Sequence, residues 1–182
     1  MLWTLKDLPR LYTGDLLAFE ANGWWQKKLV GIIKAKSWHW AIVGFPLPRD
    51  EFSKADWSVA EAVNKGTAFN LLSSYRNTPM RVYRPTMTLD DQLEMGPYLL
   101  KRCCYYGNAG YDWWGVGGVG FWFVLKHLGI PCWIQNDMRF YCIEFCNQVW
   151  ADLDFPICDM SEPPNPYNFE NSGQIKMIWG TF

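Results

Sequence analysis

Three residue types in this sequence could together break an acyl bond: a thiol, an imidazole and a carboxylate. Cys142 stands where a helical stretch begins. A helix start carries partial positive charge and unpaired N–H groups, which favour thiolate over thiol. A nucleophile of this kind needs a base within hydrogen-bond reach. The chain has only two histidines, His39 and His127. His127 lies near the end of an apolar stretch, where a cap or a solvent-facing position is expected. His39 lies between Trp38 and Trp40 on an expected strand, which would hold the ring rigidly and limit its contact with water. The imidazole then needs an orienting partner on its second nitrogen. Glu61 qualifies, as a carboxylate among apolar residues on a strand able to pair with that of His39. An acid in such a setting costs free energy unless it is partnered.

Two other constellations are weaker. Gly115-Val-Gly-Gly-Val-Gly120 matches a dinucleotide-binding glycine pattern in letters. That mechanism needs a strand before it, a helix after it and an acid on the next strand, and no such unit surrounds it. Cys142 and Cys146 share a helix face, but two histidines and no CxxC pair fall short of a zinc site. Neither a metal nor a cofactor is therefore expected.

The elements that must position these groups follow from periodicity. Gly14 to Glu20, Trp38 to Phe45, Trp57 to Val63 and Met80 to Arg84 read as strands, with Trp57, Val59, Glu61 and Val63 on one face. Trp24 to Lys36 reads as a short amphipathic helix. Thr88 precedes Leu89 with Asp91 three residues on, a capping-box-like start to a helix reaching about Tyr106 and ended by Gly107. Gly96-Pro97 is a place for that helix to kink or split. Gly120 to Leu128 reads as a further short helix. Cys142 to Leu153 has apolar residues at 142, 146, 149, 150 and 153, which is helical spacing. Glu162-Pro-Pro-Asn-Pro166 reads as an extended connection to a last strand, Gln174 to Trp179. Strands followed by helices make an α+β domain.

Composition narrows the function classes. The 182 residues suffice for one domain with a full core. Seventeen basic and 18 acidic residues leave a net charge of −1, so bulk attraction to nucleic acid or an anionic membrane is not expected. The longest apolar run, Trp113 to Leu125, is glycine-rich and too short to span a bilayer. The first ten residues lack the pattern of a signal peptide. The chain is thus expected to be cytoplasmic as made, and its six cysteines to be thiols. Twelve Trp, 9 Tyr and 11 Phe suit a packed core or a groove that grips an extended substrate.

Five short motifs occur in one order: Thr13-Gly-Asp-Leu-Leu17, Ser37-Trp-His-Trp-Ala-Ile-Val43, Ala60-Glu-Ala-Val-Asn-Lys-Gly66, Tyr111-Asp112 and Tyr141-Cys-Ile-Glu-Phe-Cys146. Together they resemble the circularly permuted branch of the NlpC-type, papain-like cysteine peptidases, the YiiX-like proteins. The match runs over residues 12 to 151. The resemblance implies a permuted papain-like α+β domain with an antiparallel sheet packed on helices. The domain is expected over 1–160, with the Pro-rich extension 161–182 in the same domain. The run 113–122 and the tail after 153 have no counterpart in the family. It implies Cys142 as nucleophile, His39 as base and Glu61 as orienter. Trp38, Trp40, Tyr111 and Tyr141 are candidate substrate contacts.

The implied reaction is amide hydrolysis by thiol acyl transfer, with peptidoglycan stem peptides or similar peptide-like amides as substrates. Two departures stand out: Ala41 where glycine is common, and the bulky Ile143 directly after the nucleophile. Two alternatives remain open. One is a lipid amidase or acyltransferase on the same fold, as in lecithin-retinol acyltransferase-like proteins. The residues after Cys142 are Ile-Glu-Phe, not that family's usual Glu-His-Phe, which speaks against it. The other is a catalytically retired interaction protein of a larger particle such as a virion. A wall-cutting enzyme without an export signal would have to be released by lysis, carried in a particle or act inside the cell.

Overall fold

The computed structural model describes residues 3–32, 34–47, 56–63, 66–111, 139–161 and 163–181. Its centre is an antiparallel six-stranded sheet in the order β4-β3-β2-β1-β5-β8. In chain order the strands are β1 Leu16–Glu20, β2 Ser37–Leu47, β3 Asp56–Val63, β4 Gly66–Leu71, β5 Met80–Pro85 and β8 Ile175–Gly180. Two short parallel strands, β6 Gly110–Tyr111 and β7 Arg139–Phe140, form a separate ladder. The helices are α1 Trp24–Ile32, α2 Leu89–Tyr105, α3 Cys142–Ala151 and α4 Pro166–Glu170.

Both sheet faces are covered, so the central strands are apolar at nearly every position. One face carries Leu16, Ala18, Trp40, Ile42, Ala60 and Ala62 against Phe145, Val149 and Trp150 of α3, Leu99 of α2 and Phe169 of α4. The opposite face carries Leu17, Phe19, Ala41, Val43, Val59 and Val82 against Trp3, Leu11 and Leu72. Each large apolar side chain buried in this way contributes about 1.5–3 kcal/mol.

Most expected elements form within a residue or two of their expected ends. The side chain of Thr88 accepts from the Asp91 amide, and α2 runs unbroken through Pro97. The expected kink or split at Gly96-Pro97 does not divide the helix. β4 and α4 have no counterpart among the expectations. β4 mixes polar and apolar residues without strict alternation, and α4 is a single turn started by the Asn165 cap and Pro166. The glycine pattern 115–120 and the expected helix 120–128 lie outside the described residues.

The Gly-Asp-Leu motif owes its residue types to packing. Gly14 has φ +94°, and a Cβ there would lie 2.8 Å from Cζ2 of Trp150. Asp15 is fully buried and takes the Arg84 guanidinium as a fork, Nε to Oδ1 at 2.9 Å and Nη2 to Oδ2 at 2.8 Å. It also accepts from Gln92 Nε2 at 3.0 Å and the Tyr12 amide at 2.9 Å. This cluster ties the entry of β1 to β5 and α2. Gly14→Ala is expected to cost about 2–3 kcal/mol, from left-handed backbone strain plus displacement of the Trp150 ring. A urea-unfolding midpoint unchanged from wild type would contradict that.

Candidate active site

The site lies where the start of α3 meets the start of β2. In the β1–β2 ladder Phe19 pairs with His39 but Glu20 pairs with Ser37, which leaves Trp38 as an extra residue. Such a bulge re-aims the chain locally. The carbonyl oxygen of Trp38 lies 3.9 Å from Cys142 Sγ. The next residue, His39, is close enough to the Cys142 side chain for the thiol to help raise the pKa of its ring.

On its other side the imidazole meets the acid. His39 Nε2 and Glu61 Oε2 are 2.5 Å apart. The ladders put both on one sheet face, since Phe19 opposes His39 and Val59 opposes Val43. The Phe19 ring stacks on His39, with centroids 5.7 Å apart and planes within 25°. Glu61 is wholly inaccessible, whereas the His39 side chain keeps 20% of its surface exposed. Cys142 is 6% exposed. The thiol is thus recessed and the ring reaches the surface.

Two residues not singled out from the sequence complete the carboxylate's shell. Glu61 Oε1 accepts from Asn70 Nδ2 at 2.6 Å and from the hydroxyl of Tyr75. The Tyr75 ring packs on Phe19 at 4.5 Å, so one aromatic pair braces the base and the acid together. Asn70 sits on the unforeseen strand β4, and Tyr75 in the turn after it. No sequence pattern marks either, because the partnership exists only once β3 and β4 pair.

The electrostatics follow from this shell. Burial pushes the His39 pKa down, but hydrogen bonds and charge from Cys142 and Glu61 overcome it and raise it from 6.5 to about 10. Burial pushes Glu61 up, yet His39, Tyr75 and Asn70 hold its carboxyl below the ordinary 4.5. The phenol of Tyr75 is raised by burial and by the Glu61 charge.

These shifts are stability statements. A raised imidazole stabilises fully below 6.5 and loses that contribution as pH climbs through about 10. A lowered carboxyl stabilises above 4.5 and loses it as pH falls through its folded value. The stability gap between wild type and Glu61→Gln should therefore peak at pH about 4.5–6.5 and shrink on both sides. Urea midpoints measured across pH would show it, and a flat gap would contradict the pairing.

The helix start offers backbone N–H groups. Tyr141 occupies the N-cap position with extended geometry and gives no side-chain cap. The first helical bond runs from the Phe145 amide to the Tyr141 carbonyl at 2.9 Å. Ile143 is 2% exposed and belongs to the helix-side core. Its bulk packs inward, away from solvent.

Two expected substrate contacts need correction. Trp40 is fully buried, its ring packed 5.1 Å from Tyr83 and 4.7 Å from Phe169. Strand alternation puts it on the helix-facing side, opposite to His39, so it is core. Tyr141 is also buried, and its hydroxyl donates to the Pro164 carbonyl at 2.5 Å. That hydroxyl anchors the C-terminal segment and does not point at a substrate. Trp38 is half-buried beside the thiol. Tyr111 lies in β6 opposite Phe140, and its side chain lies outside the described part.

The described cysteines are all free thiols. Burial raises Cys103, Cys146 and Cys158, the last to about 12.

Comparison with known proteins adds a fold relative. No family model matches the chain, and no curated protein matches it. Among solved structures, it is similar to the crystal structure of the metalloprotein yiiX from Escherichia coli O157:H7, a DUF1105 protein. The TM-score is 0.63 at 15% identity, covering 92% of this chain and 96% of that one. The chain has a YiiX-like fold.

That relative's description as a metalloprotein invites a test of the residues here. Among the described residues no group of three or more His, Cys, Asp or Glu side chains is gathered as ligands. His39 Nε2 and both Glu61 oxygens are already engaged with each other, Asn70 and Tyr75. The described residues of the site, as arranged, do not fit a metal ion.

Proposed function

We propose that this protein is a thiol hydrolase that cleaves an amide bond by Cys142–His39–Glu61 acyl transfer. The observation that carries the reading is one imidazole shared between the thiol at a helix start and a buried, fully partnered carboxylate. Both supports favour the protonated form of His39, and in the proposed reaction His39 takes the Cys142 proton so that Sγ attacks as thiolate. With Nε2 committed to Glu61, Nδ1 is the nitrogen that exchanges the proton. Sγ attacks the carbonyl carbon, and the first-turn N–H groups of α3 face the developing oxyanion. As the C–N bond breaks, His39 gives its proton to the leaving amine. His39 then takes a proton from water, whose oxygen displaces Sγ from the thioester and frees the acid.

The substrate class proposed is the peptide-like amide, with peptidoglycan stem peptides as the leading case and Trp38 as a wall of the cleft. The domain comprises 1–160 as a permuted papain-like unit, with 161–182 completing it through β8, which pairs with β5.

Intact-mass spectrometry after brief mixing with a panel of stem peptides and N-acyl amides tests this. An acyl adduct on Cys142, absent in Cys142→Ala and followed by free acid, is expected. No adduct and no product with any amide would overturn the reading.

A further inference from the structure

The net charge of −1 conceals one strongly basic segment. Between Asn22 and Lys36 there are four lysines, Lys27, Lys28, Lys34 and Lys36, and no acidic residue. Three of the exposed residues of α1 fall on one face by helical spacing: Trp24, Lys28 and Gly31, with Lys27 beside them. Val30 is turned inward and buried. Trp24 is 73% exposed, an unusual position for the largest apolar side chain. The Lys28 ammonium lies 4.1 Å from the Trp24 ring centroid. Lys34 and Lys36 follow in the exposed turn that leads into β2. One acid lies against the end of this segment, so three of the four lysines stand clear of it in sequence. Glu20 ends β1 before the helix, and the Glu170 carboxylate is occupied by the Lys36 and Ser37 amides at 2.6–3.0 Å.

An exposed indole set among lysines is matched to one kind of surface. Indole rings settle at the polar–apolar boundary of a bilayer, and lysine stems reach past it to anionic headgroups. We infer that α1 and the turn after it dock this protein on an anionic lipid surface, with Trp24 as the interfacial anchor and Lys27, Lys28, Lys34 and Lys36 as the electrostatic contacts. This is peripheral binding. No helix among the described residues is long and apolar enough to cross a membrane. α1 packs against β2, the strand of His39, so docking would bring that end of the sheet to the lipid surface.

The test is co-sedimentation of the full chain with vesicles of equal parts phosphatidylglycerol and phosphatidylcholine, against phosphatidylcholine alone. It reads no catalysis, so its failure leaves the hydrolase reading standing, and the reverse. The chain should pellet with the anionic vesicles only and be released by added salt. Lys27→Gln with Lys28→Gln should weaken partition about 30-fold. Trp24→Ala should weaken it further, while Lys176→Gln on the exposed edge of β8 should bind as wild type. All these positions are exposed, and unchanged thermal unfolding confirms that the variants fold. No pelleting with the anionic vesicles overturns the inference, as does equal pelleting with phosphatidylcholine alone. Wild-type binding by the double-lysine variant overturns it too. A chain that ignores vesicles but retards duplex DNA would make the segment a nucleic-acid contact and overturn it equally.

Discussion

His39→Ala is expected to lower amide turnover by about 10³–10⁴-fold while leaving the fold intact, since a single group acts as both base and acid in the two half-reactions. The effect should be graded along the chain of contacts. Glu61→Gln keeps the shape of the acid but removes its charge from His39 Nε2 and from the Tyr75 hydroxyl. About 10²-fold is expected for it, because an imidazolium loses its counter-charge and the ring its orientation. Tyr75→Phe removes one of the two donors to Glu61 Oε1 and leaves Asn70 in place, so its effect should be several-fold only. Steady-state kinetics of the three variants on one amide decide the matter. Equal losses from all three would point to a folding defect, and full activity of His39→Ala would remove the base from the account.

The second large effect concerns stability. Asp15→Ala is expected to destabilise the protein by about 3–5 kcal/mol, because it strands partners built around a buried charge. Four donors each lose an acceptor at once, Arg84 Nε and Nη2, Gln92 Nε2 and the Tyr12 amide, although Gln92 keeps its bond to the Thr13 carbonyl. Arg84 retains its bond to the Arg10 carbonyl and its place over the Tyr12 ring, 4.6 Å from the centroid, which limits the loss. At this chain length the melting temperature should drop by roughly 10 °C. Arg84→Lys should cost less but not nothing, since an ammonium cannot reproduce the two parallel bonds of the fork. Thermal unfolding of both variants is the check, and a shift under a degree or two for Asp15→Ala would contradict the role given to the cluster.

The strands around His39 and Glu61 were legible from the sequence because a half-buried strand writes its register in alternation. Trp57, Val59 and Glu61 fall on one face, and Val59 packs in the core of that same face. The start of α3 was legible because its stripe at 142, 146, 149 and 150 is buried as a unit. What escaped was contact between elements. Trp40 looked like a wall of the site because it adjoins His39 in sequence, but adjacent strand residues point to opposite faces. Tyr141 looked like a donor beside the nucleophile, and its hydroxyl turned out to hold Pro164. Asn70 and Tyr75 gave no signal at all, since their purpose is set by a strand pairing nine and fourteen residues from Glu61. The bulge at Trp38 was equally silent, because it is a property of the β1–β2 ladder and not of either strand alone.

The central claim is that Cys142 and His39 form a thiolate–imidazolium pair. The pH dependence of alkylation at each cysteine, read by peptide mass spectrometry in wild type and His39→Ala, tests it most directly. An ordinary thiol, with a pKa of about 8.5, is only about 0.3% thiolate at about pH 6. Cys103, Cys146 and Cys158 are raised by burial and act as internal controls. The account predicts that Cys142 alone reacts readily at about pH 6. It predicts that His39→Ala slows this by about tenfold or more, after allowing for the greater nucleophilicity of a more basic thiolate. A Cys142 that reacts no faster than its neighbours at that pH, or is indifferent to the loss of His39, would contradict it.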